Sequence, residues 1–188
     1  NCIAIADGTT QSFNSEFWAT LITESFTRKP FFQPTELINS FKIAATEFKN
    51  QKYKFSENFA LASIEKEKVK RGGTATFIGI KIENNKLSLI SCGDSNTFIL
   101  RNNKILPFPF YSVSDLDYNK HFLNSEKLLS DEIDETYFIT QEFEIENSDI
   151  ILLATDALSR VILEKPIIVN DLIQTNNFDD FKRLCLEY

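Results

Sequence analysis

Three acidic residues carry the chemistry that this sequence offers. Asp7 ends the apolar run IAIA, Asp94 follows LSLISCG, and Asp156 follows IILLAT, so each stands where a strand gives way beside a small neighbour. Taken singly, each is explained as a turn or cap residue, because Asp is favoured at both places. Taken together, with their strands side by side, they place three carboxylates at one rim, where like charges in a partly dry site repel strongly. A cation relieves that repulsion. The donors are hard oxygens and the sole histidine is His121 in a long connection, which favours Mg²⁺ or Mn²⁺ over Zn²⁺ or Cu²⁺. Gly8, having no Cβ, lets its backbone carbonyl approach as a further ligand.

The elements around these acids can be read from period and punctuation. After Asp7-Gly8 the chain does not return as a hairpin: Phe17, Trp18, Leu21, Ile22 and Phe26 recur at helical spacing, with Asn14 as N-cap. A second helix is predicted from near Thr35, just after Pro34, with Leu37, Ile38, Phe41, Ala45 and Phe48 on one face, and a third over Phe59 to Lys70. From Gly72 the period becomes that of strands. TATFIGIKI, KLSLISC and NTFILRN read as an antiparallel meander with hairpin turns at Asn84-Asn85 and Asn102-Asn103. Residues 74–82 are apolar on both alternating faces, so the sheet must be covered on both sides. An irregular connection with a short helix follows, then strands in YFITQEFEI and DIILLATD, a helix from Ala157 and another across FDDFKRLCLEY.

Composition excludes several classes of function. The 188 residues carry 43% hydrophobic and 25% charged side chains, which suits one soluble domain with a proper core, and no apolar stretch is long enough to span a bilayer. A net charge of −7 argues against nucleic-acid or anionic-membrane partners. Cys2, Cys92 and Cys185 are odd in number and far apart, so they read as small core residues in a reducing, cytoplasmic setting rather than as a disulfide or zinc framework. The run EKEKVKR reads as a solvated helix face, and Arg71-Gly72-Gly73-Thr74 as a helix C-cap and turn rather than a phosphate loop.

The order of motifs then matters. Asp7-Gly8 before a helix, GGTAT opening a strand, CGDS between strands and DIILLATDAL late in the chain resemble the metal-dependent PPM-type protein phosphatases, the type 2C serine/threonine family. ADGTTQSFNSEFWA, FPF and TDALS are most similar to a bacterial branch in which the Asp-Gly-His-Gly signature is altered. The resemblance spans nearly the whole chain and implies an α+β fold: a four-layer α-β-β-α sandwich of two antiparallel sheets flanked by helix pairs. It implies a signalling hydrolase that removes phosphate from phosphoserine or phosphothreonine in proteins by a metal-activated water. Two Mn²⁺ or Mg²⁺ ions are implied, with Asp7 bridging them, the Gly8 carbonyl on one, Asp156 on the other, and Asp94 at a more weakly held third.

The chain also departs from the family pattern. The family's phosphate-holding Arg and one acidic ligand precede its Asp-Gly motif, and its last metal-binding Asp follows its C-terminal helix. Residues 1–188 are therefore expected to form a single phosphatase-like domain without its terminal edge segments, with an acid-bearing strand following in the intact protein. Thr9 stands where the family has a His, a suggested proton donor, and Ala157 replaces a Gly. These changes motivate a second reading, a catalytically silent phosphatase-like module that binds a phosphorylated or regulatory partner. A receiver-type α/β phosphotransfer domain is a weaker third, since it would need alternating strands and helices.

Overall fold

The computed structural model describes residues 1–119 and 121–187. The chain begins with β1 (Cys2–Ile5), followed by three helices, α1 (Ser15–Arg28), α2 (Pro34–Asn50) and α3 (Phe59–Arg71). Strands β2 (Thr74–Ala75), β3 (Phe77–Glu83), β4 (Lys86–Cys92), β5 (Asn96–Arg101) and β6 (Lys104–Phe108) come next. The long connection holds α4 (Val113–Tyr118), β7 (Leu123–Asn124), α5 (Ser125–Leu129) and a 3-10 turn at Glu135–Tyr137. Finally come β8 (Ile139–Glu144), β9 (Ile150–Ala154), α6 (Asp156–Glu164), α7 (Ile168–Leu172) and α8 (Phe178–Glu187). The short α7 was not legible as a separate helix.

Two antiparallel sheets stack face to face, one in the order β1-β3-β4-β8 and one in the order β6-β5-β9, with β2 and β7 paired beside them. Period-2 alternation sorts the side chains. Ile78, Ile80, Leu87 and Leu89 of the first sheet meet Ile99, Phe108, Ile151 and Leu153 of the second in the central core. On the outer face of the first sheet, Phe77, Ile90 and Cys92 pack under Trp18, Ile22, Phe26 and Phe41 of α1 and α2. On the outer face of the second, Phe98 and Ala154 pack against Ile162, Ile168, Val169 and Leu184 of α6, α7 and α8. The result is the α-β-β-α sandwich that the doubly apolar strands require. Each fully buried Phe or Leu contributes about 2–3 kcal/mol of transfer free energy, so the three clusters dominate the fold's cohesion.

Several expectations hold in detail and others need correction. Both Asn pairs turn their hairpins at positive φ, between 50° and 61°, as the primed turns demand. α3 buries no residue, and its Lys70 and Arg71 lie near Glu67, in keeping with a solvated face. The expected three-strand meander, however, is split: β3 and β4 form one hairpin, β5 and β6 another, and the chain crosses between the sheets at Gly93-Asp94. Gly93, at φ +103°, makes that corner. The three acid-tipped strands are likewise not side by side, because β3 lies between β1 and β4 and β9 belongs to the other sheet. Cys92 is buried as expected, but Cys185 is exposed on α8, so it is not a core residue. Among the described residues no helix is long and apolar enough to cross a membrane.

Candidate functional site

The first sheet delivers Asp7. Past the end of β1, Gly8 bridges to Ala75, flanked by bonds from the Thr76 N–H to the Asp7 carbonyl and from the Thr9 N–H to the Thr74 carbonyl, both 2.9 Å. That pattern is a non-hydrogen-bonded pair, so the bridge leaves the Gly8 carbonyl itself unspent. α1 starts hard against this turn: a Cβ on Gly8 would lie 2.6 Å from the backbone carbon and oxygen of Ser15. Close approach of a helix start therefore requires glycine here.

Thr76 fastens Asp7 to Asp94. Its hydroxyl accepts the Asp7 N–H at 3.1 Å and lies 2.8 Å from the hydroxyl of fully buried Ser95. Thr76 also packs beneath the corner glycine, since a Cβ on Gly93 would come within 2.6 Å of its Cβ. One buried hydroxyl thus fixes the end of β1 to the crossing that carries Asp94. The second sheet delivers Asp156 as the first residue of α6, where a negative charge suits the helix dipole. The buried Ser159 hydroxyl donates back to the Ala154 carbonyl at 3.0 Å and its N–H to the Thr155 carbonyl at 2.9 Å, locking the strand-to-helix turn.

The three acids feel one another. Partial desolvation, and next the charge of Asp156, hold the Asp7 carboxyl above the usual range although the residue is exposed. Asp94 is raised first by burial and then by Asp156, with a smaller push from Asp7, while the Arg160 guanidinium opposes the shift. Asp7, Asp94 and Asp156 are therefore brought to one end of the sandwich from three separate strand ends. Among the described residues no group of three or more His, Cys, Asp or Glu side chains is gathered so that it could hold a metal ion by itself. The donor set nevertheless suits Mg²⁺ or Mn²⁺, because a small hard cation keeps most of its waters and takes only one or two carboxylates. His121 is exposed and packs edge-on against Tyr137 with 4.6 Å between ring centroids.

Two depressions flank the acids. One of about 320 Å³ is lined by Asp7, Gly8, Ser15, Glu16, Thr20 and Thr23. The other, about 640 Å³ and mostly apolar, runs past Ile5, Leu153, Thr155, Leu158, Val161 and Leu184.

Reading the sequence for acids missed the groups that position them. Thr76 and Ser95 lie inside the GGTAT and CGDS motifs, and only the folded crossing shows that their hydroxyls meet. Arg160 was also missed. Its Nε is 4.0 Å from Asp156 Oδ2 and its terminal nitrogen donates to Asp117 Oδ1 at 2.7 Å. The i,i+4 spacing from Asp156 was the available signal.

No family model and no curated protein matches the sequence. Solved structures do match the fold. The serine/threonine phosphatase PstP/Ppp of Mycobacterium tuberculosis superposes with a TM-score of 0.62 at 16% identity, over 98% of this chain and 80% of that one. The PstP catalytic domain in complex with two manganese ions gives 0.57 at 16% identity, over 98% and 79%. PppA, a regulatory component of the type VI secretion system in Pseudomonas aeruginosa, gives 0.59 at 15% identity, over 98% and 77%. The chain therefore has the type 2C phosphatase fold.

Proposed function

We propose that this chain is a Mg²⁺- or Mn²⁺-dependent phosphatase acting on phosphoserine or phosphothreonine in proteins. What supports this reading is that the chain turns carrying Asp7 and Asp94 are tied through Thr76 and Ser95 at one end of a type 2C sandwich, with the charge of Asp156 reaching both acids. The structural likeness to a phosphatase domain solved with two manganese ions supports it. Asp7 and the Gly8 carbonyl would hold one side of a cation pair and Asp156 the other, with Asp94 at a third, weaker position. When bound, such ions supply an activated water and screen the charge of a phosphate monoester.

The chain's own residues do the rest. Thr76 holds the Asp7 backbone and bonds Ser95, the residue after Asp94, so that the two chain turns are fixed relative to each other. Asp156 sits at a helix start braced by Ser159, which fixes the backbone turn from β9 into α6. Thr9, whose hydroxyl does not titrate near neutral pH, is no general acid, so it does not protonate the leaving group.

The test is hydrolysis of a phosphothreonine peptide with and without Mn²⁺. Activity is expected only with the metal, and Asp7→Asn or Asp156→Asn should each lower it at least about 100-fold while the protein stays folded. Metal-independent turnover, or turnover indifferent to both changes, would refute the assignment.

A further inference from the structure

We propose that Arg160 is a tethered internal cation that competes with divalent ions for the Asp94 and Asp156 carboxylates, and that Asp117 sets the competition by holding its guanidinium aside. The inference rests on the reading of these acids as a metal site.

Arg160 lies one helical turn beyond Asp156 on α6, on the same face. Its Nε stands 4.0 Å from Asp156 Oδ2, too far for a hydrogen bond but within reach of a charge contact. Its charge also reaches Asp94. The short bond goes elsewhere, to Asp117 Oδ1 at 2.7 Å. A guanidinium does not lose its proton in proteins, so the field it imposes on the acids changes only if the side chain moves. Arg160 has room to move, with 36% of its side chain exposed.

Its anchor is also exposed, at 57% of its side chain, but stands on a fixed backbone. Asp117 belongs to α4, and the segment leading to that helix is pinned at the acid end of the second sheet. The buried Asn96 side chain donates to the Phe110 carbonyl at 2.8 Å and accepts the Phe110 N–H at 3.0 Å. Ser112 and Asp115 then close a capping box, and Leu116 is 1% exposed. Asp117 is thereby presented to Arg160 by a fixed element. The pair holds a positive charge beside the acids without letting it settle on Asp156. Deleting the cation should favour metal binding, and deleting the retainer should oppose it.

The experiment is calorimetry of Mn²⁺ binding to the whole chain. Arg160→Ala is expected to tighten Mn²⁺ about ten-fold, and Asp117→Asn to weaken it several-fold by freeing the guanidinium to close on Asp156. Asp117→Asn made on the Arg160→Ala background should have much less effect, a coupling that general loss of structure would not produce. Arg160→Lys, which keeps the charge, should stay near wild type, and Arg28→Ala on the remote face of α1 should leave affinity unchanged. Unchanged or weakened binding in Arg160→Ala, or equal effects of Asp117→Asn on both backgrounds, would overturn the inference while leaving the metal-site reading intact. Failure of the unaltered protein to bind Mn²⁺ at millimolar concentration would remove both. Should Arg160→Ala not fold, the contrast between Arg160→Lys, expected near wild type, and Asp117→Asn, expected to weaken binding, still decides the matter.

Discussion

The strand pair β5–β9 ends in acid at both extremities, and the two ends treat their acids in opposite ways. At one end, Arg101 grips Asp149 with two bonds of 2.9 and 2.6 Å and also donates to the Glu144 carbonyl at 2.7 Å. The Glu146 N–H adds a further bond to Asp149. The Asp149 carboxylate is 1% exposed, and Arg101 holds its pKa below the usual carboxylate range. At the other end Asp94 is pushed up by burial and by the charge of Asp156, with Arg160 only partly opposing the shift. A fold that can neutralise a carboxylate this fully has left others less fully neutralised seven residues away along the same strands. The first end serves stability; on the proposed function the second gives up stability to receive a cation.

The largest expected effect follows from that asymmetry. With Mn²⁺ at about 100 times its dissociation constant, thermal or urea unfolding should show a stabilisation of about 2.7 kcal/mol. The double change Asp94→Asn with Asp156→Asn should abolish that response. In chelator the same variant should be more stable than the unaltered protein, since it removes the repulsion. Equal metal response in both proteins would mean that the acid end is only a second structural end.

The next effect is a pH dependence, read as urea midpoints in chelator. Asp149 has a depressed folded-state pKa, so its contribution is present above the ordinary carboxylate pKa and is lost as pH falls through the lower folded value. Asp94 and Asp7 have raised folded-state pKa values, so the folded state gains protons first, and stability rises as pH falls from neutral through those raised values. The metal-free protein should therefore pass through a stability maximum on the mildly acidic side. Asp94→Asn should flatten the rise. Arg101→Met, which strands a buried Asp149, should lower stability at neutral pH and flatten the acid-side fall. A single monotonic profile insensitive to both changes would erase the contrast between the ends.

How much of this was legible varies residue by residue. Asp7, Asp94 and Asp156 could be found because strand-then-turn patterning is local, and a carboxylate at a strand's end is conspicuous. The Asn pairs were equally plain, because two successive positive φ values restrict the residues that fit. The crossing at Gly93-Asp94 was not, since a Gly-Asp corner between two apolar strands looks the same whether the next strand pairs with the last or leaves for the opposite sheet. That choice is made by the packing of Thr76 under Gly93 and by the partners of β5, which are 3 to 11 and 50 to 58 residues away in sequence. Arg160 was hidden for a similar reason: its spacing from Asp156 is local, but Asp117, which gives it meaning, comes from a segment without clear period.

The smallest effect belongs to the stretch between the two ends. Thr97 is fully buried on β5, opposite Phe108 on one neighbour and Leu153 on the other, so it faces the apolar layer between the sheets. Its hydroxyl has no hydrogen-bond partner among the described residues, and Ser91, on the same layer's other wall, is in the same position. A hydroxyl taken out of water without a partner costs about 1–3 kcal/mol, and valine has nearly the same shape. Thr97→Val should therefore raise stability by about 1 kcal/mol and leave Mn²⁺ affinity unchanged, because the hydroxyl is on neither the Thr76–Ser95 link nor the acid rim. Should Mn²⁺ affinity fall instead, the polar character of the acid end would extend inward between the sheets, and the boundary between a stabilising and a functional end would lie deeper than the carboxylates.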